Sequence, residues 1–126
     1  MIGWRFFDYC SEAGNNLIEE WYLSQREDVQ ADFDTTLKTL SIFDDWRELK
    51  EFKMLGRQGL GEIRFKTANV QYRPIGSFGP GERSFTLWVG CKKKQNIYDP
   101  LDIFDLVLRR QSLYERGKVC LRERVI

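Results

Sequence analysis

The chain has 126 residues, of which 42% are hydrophobic and 31% charged, and its formal net charge is +1 at pH 7. This length predicts a single domain over residues 1–126 with a core of modest size. Because the sequence contains no histidine, it excludes a histidine-based metal site, a Ser-His-Asp triad and a histidine general base.

The near-neutral total hides an uneven distribution of charge. Residues 1–56 carry 6 Lys/Arg and 12 Asp/Glu, and residues 57–126 carry 14 and 7, so the two parts have net charges of −6 and +7. An acidic part followed by a basic part is consistent with one surface that meets a polyanion. The same counts are also consistent with charges scattered over solvated faces.

The number and spacing of the cysteines do not suggest that disulfides or a metal hold the fold together. Cys10, Cys91 and Cys120 are odd in number and far apart, which argues against a disulfide framework and against a zinc site. We therefore expect no metal and no cofactor. The apolar patch from Trp4 to Phe7 is too short for a signal segment, and no run approaches a membrane span, so we expect a cytoplasmic protein.

The first part of the chain predicts a strand and two helices. Ile2–Tyr9 is rich in aromatic residues, as strands are. Asn16 followed by Glu19 has the spacing of a helix cap, which predicts a helix over Leu17–Leu23. A second helix, or a continuation of the first, presents an apolar face made by Val29, Phe33, Leu37 and Leu40. A mixed linker over 44–58 includes a predicted turn of helix around Trp46–Phe52.

A three-strand meander is predicted between Gly61 and Tyr98. Period-two alternation puts Ile63 and Phe65 on one face of the first strand. The opposite face carries Glu62, Arg64 and Lys66. Pro74 lacks a backbone donor and predicts a bulge or an exposed edge, and residues 79–81, Gly-Pro-Gly, predict a turn.

The end of the chain predicts a last helix. Asp99-Pro100 is a strong helix start, with an N-cap and then proline at the first helical position. Gly117 ends that helix, and residues 118–126 form either a final strand or a loose tail. The first strand must pair out of sequence order with the later sheet, and the helices are expected on the apolar face, which leaves the basic face open.

Several motifs in this order resemble the RelE/HigB superfamily of type II toxins, in particular its phage-derived, HigB-like branch. They are Gly59-Leu60-Gly61-Glu62-Ile63-Arg64-Phe65, Tyr72-Arg73, Val89-Gly90-Cys91-Lys92-Lys93-Lys94, and Asp99-Pro100 before a helix with Arg109-Arg110. The resemblance implies an α+β, RelE-like fold, with an antiparallel sheet of four or five strands and two or three helices on one face. It also implies an endoribonuclease that cleaves messenger RNA in the ribosomal A site and is neutralised by a cognate antitoxin.

The resemblance further implies a set of catalytic residues. Arg64 and Lys66 would hold the RNA backbone and serve acid-base roles, and Arg73 would act on the scissile phosphate. A tyrosine that stacks on a base or assists proton transfer matches Tyr98. The basic cluster that follows Val-Gly supplies Lys92 and Lys94.

The chemistry of such a cleavage is consistent with these residue types. Arginine suits a phosphate that gains charge, because its planar fork matches the oxygens and stays protonated. The base that takes the 2′-hydroxyl proton remains open among Lys66, Lys92, Lys94, Glu62 and Tyr98. Glu62 also has a purely structural interpretation, in which it forms cross-strand ion pairs.

Two other functions remain open from the sequence. One is a ParE-like inhibitor of DNA gyrase on the same fold, without a nuclease site. The other is a non-catalytic module that binds nucleic acid or protein, for which the low net charge is the best support. None of the three functions involves a membrane or a small-molecule cofactor.

Overall fold

The computed structural model describes residues 3–126, in which the chain forms three helices and ten short strands. The helices are α1 (Leu17–Leu23), α2 (Glu27–Ser41) and α3 (Ile103–Glu115). The strands are β1 (Arg5–Tyr9), β2 (Phe52–Met54), β3 (Leu60–Ile63), β4 (Phe65–Thr67), β5 (Val70–Tyr72), β6 (Ile75–Phe78), β7 (Ser84–Val89), β8 (Lys92–Lys94), β9 (Ile97–Asp99) and β10 (Leu121–Arg124).

The strands form two sheets. The larger has six strands in the order β10-β1-β7-β6-β3-β2, and the smaller has four in the order β4-β5-β8-β9. β1 lies parallel to β7, and the other pairs are antiparallel. The α+β class and the out-of-sequence pairing of the first strand are therefore confirmed, whereas the sheets contain more strands than the four or five expected.

Each strand of the predicted meander is broken into two. The breaks lie at Arg64, at Arg73-Pro74 and at Gly90-Cys91, so that each strand begins in one sheet and ends in the other. Pro74 has no backbone N–H, and the ladder register shifts between Ile75 and Gly76. The predicted bulge is thus present, but Pro74 is buried and not at an exposed edge.

Helices cover both faces of the larger sheet. Trp46, whose indole N–H donates to the Leu40 carbonyl of α2, packs on Phe85. Trp88 points to the other face, since it lies three residues further along β7, and there it contacts Tyr114 of α3. The expectation that all helices pack on one face was therefore wrong.

The capping and periodicity signals of the first helices are confirmed. The Asn16 side chain accepts a hydrogen bond from the Glu19 backbone N–H at 2.8 Å, and α1 begins at Leu17. The four residues of the predicted face of α2 are all buried. The turn of helix predicted around Trp46–Phe52 is absent: that segment forms two tight turns and then enters β2.

The last helix begins later than predicted. Asp99 belongs to β9, where it pairs with Lys92, and α3 starts at Ile103. At Asp99-Pro100, strand pairing therefore outweighs the local signal for a helix start. Of the two alternatives for residues 118–126, the chain adopts the strand, because β10 pairs with β1.

Within residues 3–126, no helix combines the length and the apolar composition that a bilayer span requires.

Candidate functional site

The three strand breaks lie side by side and are tied together by backbone contacts. The Arg73 backbone N–H donates to the Cys91 carbonyl at 2.8 Å, and the Cys91 thiol donates to the Arg73 carbonyl. The Ile63 N–H, just before the first break, donates to the Pro74 carbonyl at 2.9 Å. Residues that are distant in sequence therefore lie next to one another at the three strand breaks.

Four polar side chains meet at these breaks, and we call them the arginine–glutamate cluster: Glu62, Arg64, Arg73 and Tyr98. Glu62 is fully buried. Its carboxylate accepts a hydrogen bond from Arg64 Nε at 3.0 Å and one from the Tyr98 hydroxyl, and it lies 3.9 Å from Arg73 Nε. Glu62 thus forms ion pairs, but its hydrogen-bonded partner Arg64 lies on the same segment, and only the longer contact with Arg73 is the expected cross-strand pair.

Arg73 is held in place by acceptors from its own strand. Its side chain is 12% exposed, Nη1 donates to the Tyr72 carbonyl at 2.9 Å, and Nη2 donates to Gln71 Oε1 at 2.8 Å. Burial lowers the pKa of the Arg73 guanidinium below its ordinary value, and the charge of Arg64 lowers it further. The guanidinium is therefore a rigid cation, and its Nε is buried without a hydrogen-bond partner.

Tyr98 joins the cluster to α3 and to the lysines. Its ring packs edge-on against Phe104, with centroids 5.3 Å apart, and Lys93 Nζ lies 4.7 Å from the centroid of the tyrosine ring. Burial raises the pKa of Tyr98, and the hydrogen bond to Glu62 raises it further. The phenol therefore carries its proton at neutral pH.

The register of the smaller sheet sorts the lysines onto two faces. Lys66 pairs with Gln71, Gln71 pairs with Lys93, and Lys93 pairs with Tyr98, so these four form one row across the sheet. Because side chains alternate along a strand, Lys92 and Lys94 project from the opposite face. Lys92 there borders a different cleft, next to α1.

Of the six residues singled out from the sequence, the structure brings Arg64, Arg73 and Tyr98 together in the cluster, and Lys66 lines a cleft with the two arginines. The structure places Lys92 and Lys94 on the other face and adds Glu62 and Lys93. The two-residue turn at Gln95-Asn96, with positive φ at both positions, sets Lys93 opposite Tyr98.

An open cleft of about 450 Å³ adjoins the cluster, between α2 and β4. It is lined by Asp32, Thr35, Thr36, Lys50, Glu51, Arg64, Phe65, Lys66 and Arg73. Four of these side chains are cationic and two are anionic, and Asp32 is already engaged as the acceptor of the Thr67 hydroxyl at 2.6 Å. The cleft can accept an anionic group beside Arg64 and Arg73.

Among the described residues, no group of three or more Cys, Asp or Glu side chains has an arrangement that would hold a metal ion. The chain matches no protein-family model, no curated protein and no solved structure.

Proposed function

We propose that this protein is the toxin of a type II toxin–antitoxin system, a RelE/HigB-like endoribonuclease that cleaves messenger RNA on the ribosome without a metal ion. The observation that carries the proposal is the convergence of Arg64, Arg73 and Tyr98 on Glu62 at the strand breaks, where the two arginines line an open cleft together with Lys66. Three of the motifs that resemble that superfamily meet there, namely the segment 59–65, Tyr72-Arg73 and the backbone at Gly90-Cys91.

The arrangement of elements supports the same proposal. A strand, two helices, a meander and a third helix follow one another, and β1 lies beside β7 of the meander. This order agrees with the α+β class that the resemblance implies, whereas the second sheet and the parallel pairing of β1 with β7 are additional to it. The meander is the element that supplies the cluster.

The cleavage that we propose is attack by a 2′-oxygen on the neighbouring phosphorus, with departure of the 5′-oxygen. Arg64 binds the phosphate oxygens, and the charges of Arg64 and Arg73 together stabilise the charge that develops there. Arg64 is 32% exposed at its side chain and reaches the cleft, whereas Arg73 provides a fixed charge behind it.

Proton transfer falls to the titratable members of the row across the smaller sheet, which are Lys66, Lys93 and Tyr98. Glu62 does not serve as the base, because it is buried and its oxygens already accept from Arg64 and Tyr98. Its role is to hold the arginines. A ribosome that positions the substrate contributes the remaining orientation.

A cognate antitoxin would neutralise this surface. The exposed cations of the smaller sheet require an acidic segment as their partner. Such a segment would cover the cleft and exclude RNA by occupying the position of the phosphate.

The test is induced expression followed by growth measurement and primer extension on abundant transcripts. We expect the native chain to stop growth and to cut transcripts in frame with codons, and we expect Arg73→Ala and Arg64→Ala to abolish both effects. Lys93→Ala should reduce cleavage by about 100-fold, the lower end of the range for loss of an acid–base group. Lys94→Ala, which removes a lysine from the opposite face, is the matched control and should cut as the native chain does.

Three outcomes would contradict this proposal, provided that circular dichroism shows the variants to be folded. Intact transcripts during growth arrest, with accumulated DNA breaks, would favour the gyrase inhibitor. RNA binding that survives Arg73→Ala, with no cleavage, would favour the non-catalytic module. Equal losses from Lys93→Ala and Lys94→Ala would contradict the assignment of the face.

A further inference from the structure

Two cysteines that are distant in sequence lie opposite each other in the larger sheet. β1 and β10 are antiparallel, with Tyr9 opposite Leu121 at the end of the ladder. One step further along the same register, Cys10 lies opposite Cys120, and the Cys10 backbone N–H donates to the Cys120 carbonyl at 3.3 Å.

This placement is compatible with a disulfide. Directly opposed residues of an antiparallel pair carry their side chains on the same face, and in a hydrogen-bonded pair such as this one the Cα atoms lie about 5.5 Å apart. Disulfides usually span Cα separations of roughly 4.4–6.8 Å. Both cysteines also border one small cleft, of about 370 Å³.

The two thiols differ in access. Cys120 is exposed and Cys10 is buried, so an external oxidant meets Cys120 first. Burial raises the pKa of the Cys10 thiol, and the nearby charge of Arg122 opposes that effect. Cys91, the remaining cysteine, is buried at the strand breaks, where its thiol donates to the Arg73 carbonyl.

We propose that Cys10 and Cys120 are a redox-active thiol pair that closes to a disulfide with glutathione disulfide as the oxidant. The Cys120 thiolate attacks one sulfur of glutathione disulfide, which forms a mixed disulfide and releases one glutathione thiolate. The Cys10 thiolate then attacks the Cys120 sulfur and releases the second. The two protein thiols lose two protons and two electrons, and one glutathione disulfide becomes two molecules of glutathione.

The bond would join β10 to β1 across a loop of more than a hundred residues. β10 is the edge strand of the sheet, and it carries Arg124, which pairs with Asp8 of β1 and Glu19 of α1. Closure would keep this strand on the sheet in states in which it otherwise detaches. The inference does not depend on the proposed nuclease function, since the pair lies outside the cluster and its cleft.

The experiment is to equilibrate the folded full chain in glutathione buffers from fully reduced to fully oxidised, to alkylate the free thiols, and to map the tryptic peptides by mass spectrometry. The three cysteines fall in separate peptides, 6–26, 84–92 and 119–122. We expect 6–26 linked to 119–122, and 84–92 alkylated only after denaturation. The oxidised chain should melt roughly 5–15 °C higher than the reduced chain.

The exposed position of Cys120 provides the control variant, Cys120→Ser. It should fold, form no linked peptide and show the same melting temperature in both buffers. The proposal is overturned if the native chain in oxidised buffer carries only glutathione on Cys120. It is equally overturned if peptide 84–92 is cross-linked as often as the other two, and a linked chain with an unchanged melting temperature would contradict the effect of closure on β10.

Discussion

Glu62 shows how a single residue determines the character of the candidate site. Two guanidinium groups approach each other at the strand breaks, and a fully buried carboxylate lies between them and the Tyr98 hydroxyl. A buried charge is tolerated where it is paired and hydrogen-bonded. Glu62 therefore orders Arg64, Arg73 and Tyr98, whether or not it contacts a substrate.

Replacing that carboxylate by the amide in Glu62→Gln should destabilise the protein by about 2–4 kcal/mol, because two partly buried arginines would lose their counter-charge. The measurement is denaturant unfolding at neutral pH. Glu82→Gln, at an exposed carboxylate in the turn before β7, is the matched control and should change stability by less than about 0.5 kcal/mol. A loss below about 0.5 kcal/mol for Glu62→Gln would show that the carboxylate does not balance the arginines.

At the scale of elements, the strand breaks depend on close approaches that a side chain would prevent. A Cβ atom on Gly90 would overlap the indole ring of Trp21 in α1. Gly76 and Gly61 have similar constraints, with Phe85 and Phe52 against them. The glycine at the third break therefore lets α1 pack directly on the backbone where β7 leaves the larger sheet.

Gly90→Ala should consequently lower stability by about 1–3 kcal/mol, since the added methyl group forces Trp21 out of its position. Near-ultraviolet circular dichroism measures the change in the environment of Trp21, and thermal unfolding measures the loss of stability. Gly81→Ala is the control, because the nearest atom to its Cβ is 3.9 Å away, and it should unfold like the native chain. Native-like stability and spectra for Gly90→Ala would mean that α1 does not pack on this backbone as described.

For the molecule as a whole, Arg124 connects the end of the chain to its beginning. Its side chain is 8% exposed, donates to Asp8 at 2.7 Å and to Glu19 at 3.0 Å, and lies over the rings of Tyr22 and Phe33. One residue of the last strand thus contacts β1, α1 and α2. Burial raises the pKa of Asp8, and Arg124 is the main group that lowers it.

Arg124→Ala should cost about 3–5 kcal/mol at neutral pH, because it leaves the Asp8 carboxylate buried without its cation. Without Arg124 the pKa of Asp8 in the folded protein rises further above its unfolded value. The loss of stability caused by Arg124→Ala should therefore be largest at neutral pH. It should shrink as the pH falls through the pKa of Asp8 in the folded protein, because the carboxyl then becomes protonated. Urea unfolding across a pH series measures this. Arg122→Ala, at an exposed position on the same strand, is the control; a deficit in Arg124→Ala that grows toward acid pH would contradict the account.

Local signals in the sequence determined the parts of this protein that depend on neighbours in the chain. The cap at Asn16, the buried face of α2, the turn after Phe78 and the end of α3 near Gly117 were all predictable, because each rests on side-chain chemistry within a few residues. The motifs also pointed to Arg64 and Arg73 as a pair of interest.

Tertiary structure alone decided which residues face one another. Whether Asp99 starts a helix or ends a strand depends on Lys92 as its pairing partner, and the later start of α3 follows from that pairing. The choice of Lys93 over Lys92 and Lys94 follows from strand register, and the opposition of Cys10 and Cys120 follows from the pairing of β1 with β10. A one-residue change of register moves every side chain to the other face, and register is set by contacts between distant segments, which the order of residues does not display.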